Sequence, residues 1–270
     1  MSEIMSDYKK LIISIDTNGV NRITLNDIPR RNALSESMII QLISSLEQAA
    51  LNSSVKVIII SSKGSVFCSG HDLKEITNAR AEADHGKAFF IKLMALCSKL
   101  MQTIVTCPKP VIAEVSGVAT AAGCQLVASC DLAYAAEEAK FCTPGVNIGL
   151  FCSTPMVAVS RSISQKNSME MLLTGDMISA VRAEEIGLIN RSTPMKDLEA
   201  TVTLMAKKIA SKSNLTVKTG KKAFYAQKEM DLARAYEHTS KVMVENLFYE
   251  DAKEGISAFL EKREPDWNDR

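Results

Sequence analysis

Apolar positions in the first two-thirds of the chain come in two textures. Short runs at 10–16, 20–25, 55–61, 110–115 and 132–136 are rich in β-branched residues, and Gly, Pro or Asn closes most of them, so each predicts a strand. Between the runs, apolar residues recur at helical spacing. Met38, Ile39, Leu42, Ile43 and Leu46 form one stripe, with Ser35 placed to cap its start. A longer stripe runs from Phe89 through Phe90, Leu93, Met94, Leu96, Cys97, Leu100 and Met101 to Ile104. Strands alternating with helices predict an α/β domain with a partly parallel sheet. Beyond about 191 strand signals nearly vanish, and amphipathic helices are expected at 198–211, 215–227, 232–248 and 251–262. The expected organisation is a core over 1–190 and a helical region over 191–270 that packs on the core or on a neighbouring subunit.

A length of 270 residues allows a substantial buried core. The 32 Lys and Arg offset 31 Asp and Glu, which argues against nucleic acid or an anionic membrane as a partner, and no apolar run is expected to reach spanning length. The cysteines, Cys68, Cys97, Cys107, Cys124, Cys130, Cys142 and Cys152, are odd in number and lack CxxC or Cys/His spacing. They predict reduced, packed thiols, with neither a disulfide frame nor a metal site. The start, MSEIMSD, is acidic and carries neither a secretory nor an Arg-rich transit pattern. The expected compartment is the cytoplasm, or the mitochondrial matrix if a transit segment has been removed.

Two small-residue segments follow predicted buried strands. In FCSGHDL at 67–73, Gly70 permits tight geometry and leaves peptide groups reachable. SGVATAAG at 116–123 leads from a strand into an apolar helix expected over 124–130, whose first N–H groups lack partners and carry the positive end of the helix dipole. Either segment can also serve close packing alone. If one N–H from each faced the same point, the pair would form an oxyanion hole.

The ordered set of RNAL at 31–34, FCSGHDL at 67–73, CPKP at 107–110, SGVATAAGCQL at 116–126, CDLA at 130–133 and TPGVNIG at 143–149 resembles the enoyl-CoA hydratase/isomerase (crotonase) superfamily. Within it, GLFCSTP at 149–155 looks most like the branch of domain-containing protein 3. The resemblance implies an α/β crotonase-like spiral of ββα units with a helical C-terminal trimerisation region, assembled as a homotrimer or hexamer. It implies no permanently bound cofactor and no metal, with coenzyme A entering as part of an acyl thioester substrate. The oxyanion donors it implies are the main-chain N–H groups of His71 and Ala122. Substrate contacts it implies are Arg31 and Ala33, then Ser69, Gly70, Asp72 and Leu73, then Ala121 and Gly123, with Phe259 and Lys262 arriving from a neighbouring subunit.

The departures from that pattern carry the functional question. Hydration of an enoyl thioester needs a base to activate water and an acid to protonate carbon. The two glutamates that do this in family hydratases match Gln125 and Gly145, and neither residue can carry a proton at neutral pH. The remaining candidates near the acyl end are the His71 side chain, Thr143, Cys152 and Ser153. Cys124 and Cys152 have no evident activating base, and His85 and His238 are expected at the surface. Three readings stay open: a hydratase homologue working through a thioester enolate, a decarboxylase or hydrolase of short acyl-CoA, and a catalytically quiet acyl-CoA-binding protein. Decarboxylation forms the enolate without a base, and SGHD at 69–72 resembles the methylmalonyl-CoA decarboxylase branch, whose pocket tyrosine matches Cys152.

Overall fold

The structure, a computed structural model, describes residues 10–270. The reading of the first seven residues therefore lies outside the described residues. In chain order the elements are β1 (Leu11–Ile15), β2 (Val20–Leu25), α1 (Glu36–Leu51), β3 (Val57–Ser62), β4 (Val66–Cys68), α2 (Leu73–Ala79), α3 (Lys87–Thr106), β5 (Val111–Val115), β6 (Val118–Thr120) and α4 (Ala122–Ser129). There follow β7 (Leu132–Ala136), β8 (Lys140–Cys142), a 3-10 turn (Pro144–Ile148), α5 (Ser153–Ser162), α6 (Gln165–Thr174), β9 (Ile178–Ser179), α7 (Ala180–Glu185) and β10 (Arg191–Thr193). The chain closes with α8 (Met195–Ala210), α9 (Asn214–Gln227), α10 (Leu232–Leu247) and α11 (Glu250–Glu261).

The strands build two sheets, one ordered β1-β2-β3-β5-β7-β10 and the other β4-β6-β8-β9. Each consecutive strand pair, β3 and β4, β5 and β6, β7 and β8, sends its first member to the large sheet and its second to the small one before a helix returns. Apart from antiparallel β1·β2 and β8·β9, neighbours run parallel. That repeat is the expected ββα spiral. In β3, Ile58 and Ile60 face the core shared with α1 and α3, whereas Val57 and Ile59 face Leu198, Val202 and Ala206 of α8. Burial on both faces explains why this strand reads as a continuous apolar run.

Ser35 caps α1 by accepting the Met38 N–H, as the sequence predicts. The chain beyond 190 begins inside the large sheet, where β10 pairs with β7, and α8 covers that sheet. At 20 residues, α3 is long and apolar enough to cross a membrane, which corrects the expectation that no run reaches that length. Its Leu93, Cys97, Leu100, Met101 and Ile104 are instead buried in the core shared with α1 and α4.

The last helices are tied to the core at a few points. Lys221 of α9 donates to the Asp131 carboxylate at 2.7 Å and to the carbonyls of Ile104 and Lys109, while the Tyr225 hydroxyl donates to the other Asp131 oxygen at 2.9 Å. The C-terminal segment folds back over α11. Buried Asp251 accepts the N–H groups of Asn268 and Asp269, Asp269 accepts the first N–H groups of α9, and the Trp267 indole lies against Gly255 and donates to the Ser211 carbonyl.

Candidate functional site

The two small-residue segments meet because two positions tolerate no side chain. A Cβ on Gly123 would sit 2.2 Å from the Cys68 carbonyl oxygen, so α4 can start against β4 only with glycine there. Gly70 has φ +84°, and a Cβ on it would stand 3.0 Å from that of Ala121 and 3.4 Å from the Ala122 nitrogen. The 31–34 segment lies alongside, with the Ser69 N–H donating to the Arg31 carbonyl and the Leu34 N–H to the Gly70 carbonyl. Asn32 clamps it: its side-chain amide donates to the carbonyls of Lys63 and Val66 and accepts the Asp27 N–H. Sequence reading missed that role, for which the polar residue inside RNAL was the available signal.

Ala121 adopts φ +49° and ψ −118°, a conformation that L-residues rarely occupy and that is concentrated at functional sites. Its N–H completes the sheet by donating to the Cys142 carbonyl at 2.9 Å. The turn leaves Ala122 as the first residue of α4, where an N–H has no helical acceptor. Among the described residues, the N–H groups of His71 and Ala122 donate to no protein acceptor. Both residues line one cavity of about 570 Å³, which suits a small-molecule ligand.

Of the expected site residues, Ser69, His71, Leu73, Ala121, Ala122, Gly145 and Cys152 line that cavity, together with Ser153. Arg31, Ala33, Gly70, Asp72, Gly123 and Gln125 do not. Gly70 and Gly123 act through backbone packing, and buried Asp72 is spoken for: one carboxylate oxygen caps α2 at the Lys74 N–H and the other accepts from Arg30. Thr143 is fully buried and donates to the Met171 carbonyl. Phe259 and Lys262 lie on and just beyond α11, exposed and away from this cavity. The walls the sequence did not reveal come from α2, α3 and the 144–155 stretch: Ile76, Arg80, Phe90, Met94, Ile148 and Phe151 among them. Among the described residues, the cavity wall holds no Asp or Glu.

Gln125 and Gly145, the two positions expected to match the family's glutamates, are both closely packed. Gln125 is buried, and its Oε1 accepts from the Cys97 thiol at 3.6 Å, facing α3 and a second cavity of about 620 Å³. At Gly145 a Cβ would lie 3.0 Å from both the Cys152 sulfur and the Leu150 carbonyl oxygen. The sulfur and backbone of 150–152 thus fill the space a larger side chain would need.

The His71 ring stands with Nδ1 3.3 Å from the Leu34 carbonyl oxygen. A carbonyl only accepts, so Nδ1 carries the proton and Nε2 is left as an acceptor. Nε2 is sealed from solvent and has no partner among the described residues. Desolvation lowers the ring's pKa against the weaker opposing pull of the Leu34 carbonyl, which keeps it neutral at pH 7. With Nε2 closed off, this arrangement gives the side chain no route to a substrate proton. Burial also pushes the thiols up, Cys68 to about 12, Cys97 and Cys142 to about 11, and Cys124 and Cys152 in the same direction. Protonated thiols are poor nucleophiles. His85 is exposed, whereas His238 is half-buried with a sealed Nε2, which corrects its expected surface position. Among the described residues no group of three or more His, Cys, Asp or Glu could hold a metal ion.

Comparison with known proteins places this geometry in context. The model of the enoyl-CoA hydratase/isomerase family matches residues 16–270. The chain is 48% identical over 251 residues to the rat enoyl-CoA hydratase domain-containing protein 3, mitochondrial, covering 93% of this chain and 82% of the relative. The crystal structure of the human enoyl-CoA hydratase domain-containing protein 3 matches with a TM-score of 0.90 at 45% identity, over 96% of this chain and all of that one. An enoyl-CoA hydratase from Mycobacterium smegmatis matches with a TM-score of 0.92 at 44% identity, over 96% and 99% of the two chains. Five relatives at 43% to 48% identity are mitochondrial by name, and this overturns the cytoplasmic expectation. Reduced, buried thiols suit either compartment, so composition could not separate them.

Proposed function

Because the chain belongs to the enoyl-CoA hydratase/isomerase family, we propose that it binds an acyl-CoA thioester and stabilises negative charge on the thioester oxygen through the His71 and Ala122 N–H groups. The observation that carries this reading is the pair of unpartnered N–H groups at one cavity. A donor aimed at a developing oxyanion contributes about 3 kcal/mol to transition-state stabilisation. The chemistry is that of a thioester enolate, and ordinary hydration lacks its two carboxylates. Coenzyme A is held as part of the substrate.

A second reading, decarboxylation of an acyl thioester that bears an α-carboxylate, is favoured by a cavity wall without acids. There the bond from the α-carbon to the carboxylate breaks, its electron pair forms the enolate, carbon dioxide leaves, and solvent returns a proton to carbon. Hydrolysis would require an activated nucleophile, for which the raised thiols give no support. A quiet binding protein would keep the cavity and show no exchange.

The test is to incubate the protein with crotonyl-CoA, butyryl-CoA and methylmalonyl-CoA in deuterated buffer and follow hydration, α-deuterium uptake and carbon dioxide release. The expected result is negligible hydration with measurable α-exchange or decarboxylation. Rapid hydration would sink the account of the missing carboxylates, and binding with neither exchange nor turnover would favour the quiet protein.

Assembly as a homotrimer or hexamer is part of the same reading. None of α10 is buried, and Leu232, Tyr236, Leu247, Phe248 and, on α11, Phe259 and Leu260 stand exposed. A neighbouring copy covering them would bring Phe259 and Lys262 to its own partner's site. We also place the functional protein in mitochondria, on the strength of its relatives. The division into a core over 1–190 and an assembly region over 191–270 is proposed with α8 as the layer they share.

A further inference from the structure

Among the described residues, the wall of the 570 Å³ cavity holds one arginine and no lysine. Arg80, just past the end of α2, faces a surface otherwise made by Ile76, Phe90, Met94, Ile148 and Phe151 and by small polar groups. Its guanidinium carbon lies 5.5 Å from the Phe90 ring centroid, a cation–π distance that orients the planar group over the aromatic face. Arg80 makes no ion pair among the described residues. Of the acids close to it in sequence, Glu75 accepts the Glu36 N–H, Asp84 accepts the N–H groups of Gly86 and Ala88 at the start of α3, and exposed Glu82 forms no ion pair with it.

A plain hydrocarbon chain in this cavity would cover part of the exposed guanidinium without offering it a partner. An acyl chain ending in a carboxylate would instead meet a planar fork of donors that matches it in geometry and charge. We propose that Arg80 makes this an acyl-CoA site selective for thioesters whose acyl group carries a second, free carboxylate. The inference rests on the acyl-CoA reading above and adds the substrate class to it. It also fits a wall without Asp or Glu, since a resident carboxylate would repel the incoming one.

Arg80 could otherwise serve an anion from a different source, the phosphates of coenzyme A itself, and the experiment separates the two. Binding of matched pairs, propionyl-CoA with malonyl-CoA, butyryl-CoA with succinyl-CoA and pentanoyl-CoA with glutaryl-CoA, is measured by calorimetry together with free coenzyme A. The proteins are wild type, Arg80→Met and Arg80→Lys; the side chain is exposed, so both variants are expected to fold, and their melting curves check this. The wild type should favour the carboxylated member of at least one pair by roughly tenfold or more, the scale of a hydrogen-bonded charge pair. Arg80→Met should abolish that preference while leaving the neutral member and free coenzyme A unchanged, and Arg80→Lys should keep part of it. A wild type that favours no carboxylated member overturns the proposal, as does an Arg80→Met variant that weakens all ligands alike, which assigns the guanidinium to phosphate. Failure of every thioester to bind would remove the acyl-CoA reading as well, and is distinguishable because the neutral members and free coenzyme A fail too.

Discussion

At the residue scale, the site depends on backbone held in an unfavourable shape. Ala121 occupies a conformation suited to glycine, and strain of this kind costs about 1 to 3 kcal/mol. Ala121→Gly should relieve it, offset in part by about 0.5 to 1 kcal/mol of added unfolded-chain freedom. The expected net is a gain of about 1 kcal/mol in unfolding free energy, read from urea denaturation; a clear loss would show that the alanine methyl contributes packing that outweighs its strain. The resemblance pointed to His71 and Ala122, whose proposed roles lie in the main chain and rest on N–H groups the turn leaves without acceptors. It could not disclose that Gln125 turns toward Cys97, because that partner comes from α3, 28 positions earlier. Nor could it show that Cys152 and Leu150 close over Gly145, since loop packing determines that contact.

At the element scale, α9 hangs on one charged anchor. The Lys221 and Asp131 side chains are 8% and 17% exposed, and Lys221 also donates to two core carbonyls, so removing its ammonium takes a donor from three acceptors at once and leaves the Asp131 carboxylate without its counter-charge. Lys221→Met should destabilise the protein by about 3 kcal/mol, the scale for breaking a buried pair. Amide hydrogen exchange should accelerate in α9 before the large sheet; uniform acceleration would mean that the anchor supports the whole core. The strands β1, β2, β3, β5 and β7 and the striped helices α1, α3 and α8 to α11 were legible because they show their period, whereas α2, α5, α6 and α7 were not foreseen. Nor was the small sheet. With three residues each, β4, β6 and β8 are too short to display an alternation, and only the fold reveals that they pair.

At the scale of the whole molecule, the proposed assembly would connect the apolar side chains of α10 and α11 to function. Phe259 is 82% exposed in the single chain, so Phe259→Asp should leave the fold intact. It should shift the protein from a trimer or hexamer to smaller species in analytical ultracentrifugation and weaken coenzyme A binding in parallel. An unchanged assembly would remove this helix from the interface. The alternation of strands and helices made the α/β class legible from sequence, and the family motifs implied the spiral. The cavity was less so, because Phe90 and Leu93 sit on a stripe indistinguishable from core and Arg80 carries no sequence signal at all. The C-terminal segment offers a separate advantage. Trp267 is the chain's only tryptophan, and it rests on Gly255 of α11 and donates to the Ser211 carbonyl just past α8. Tryptophan emission therefore reports the docking of this tail, so an emission change on dilution or heating while circular dichroism still recorded an intact core would register detachment of the last helices.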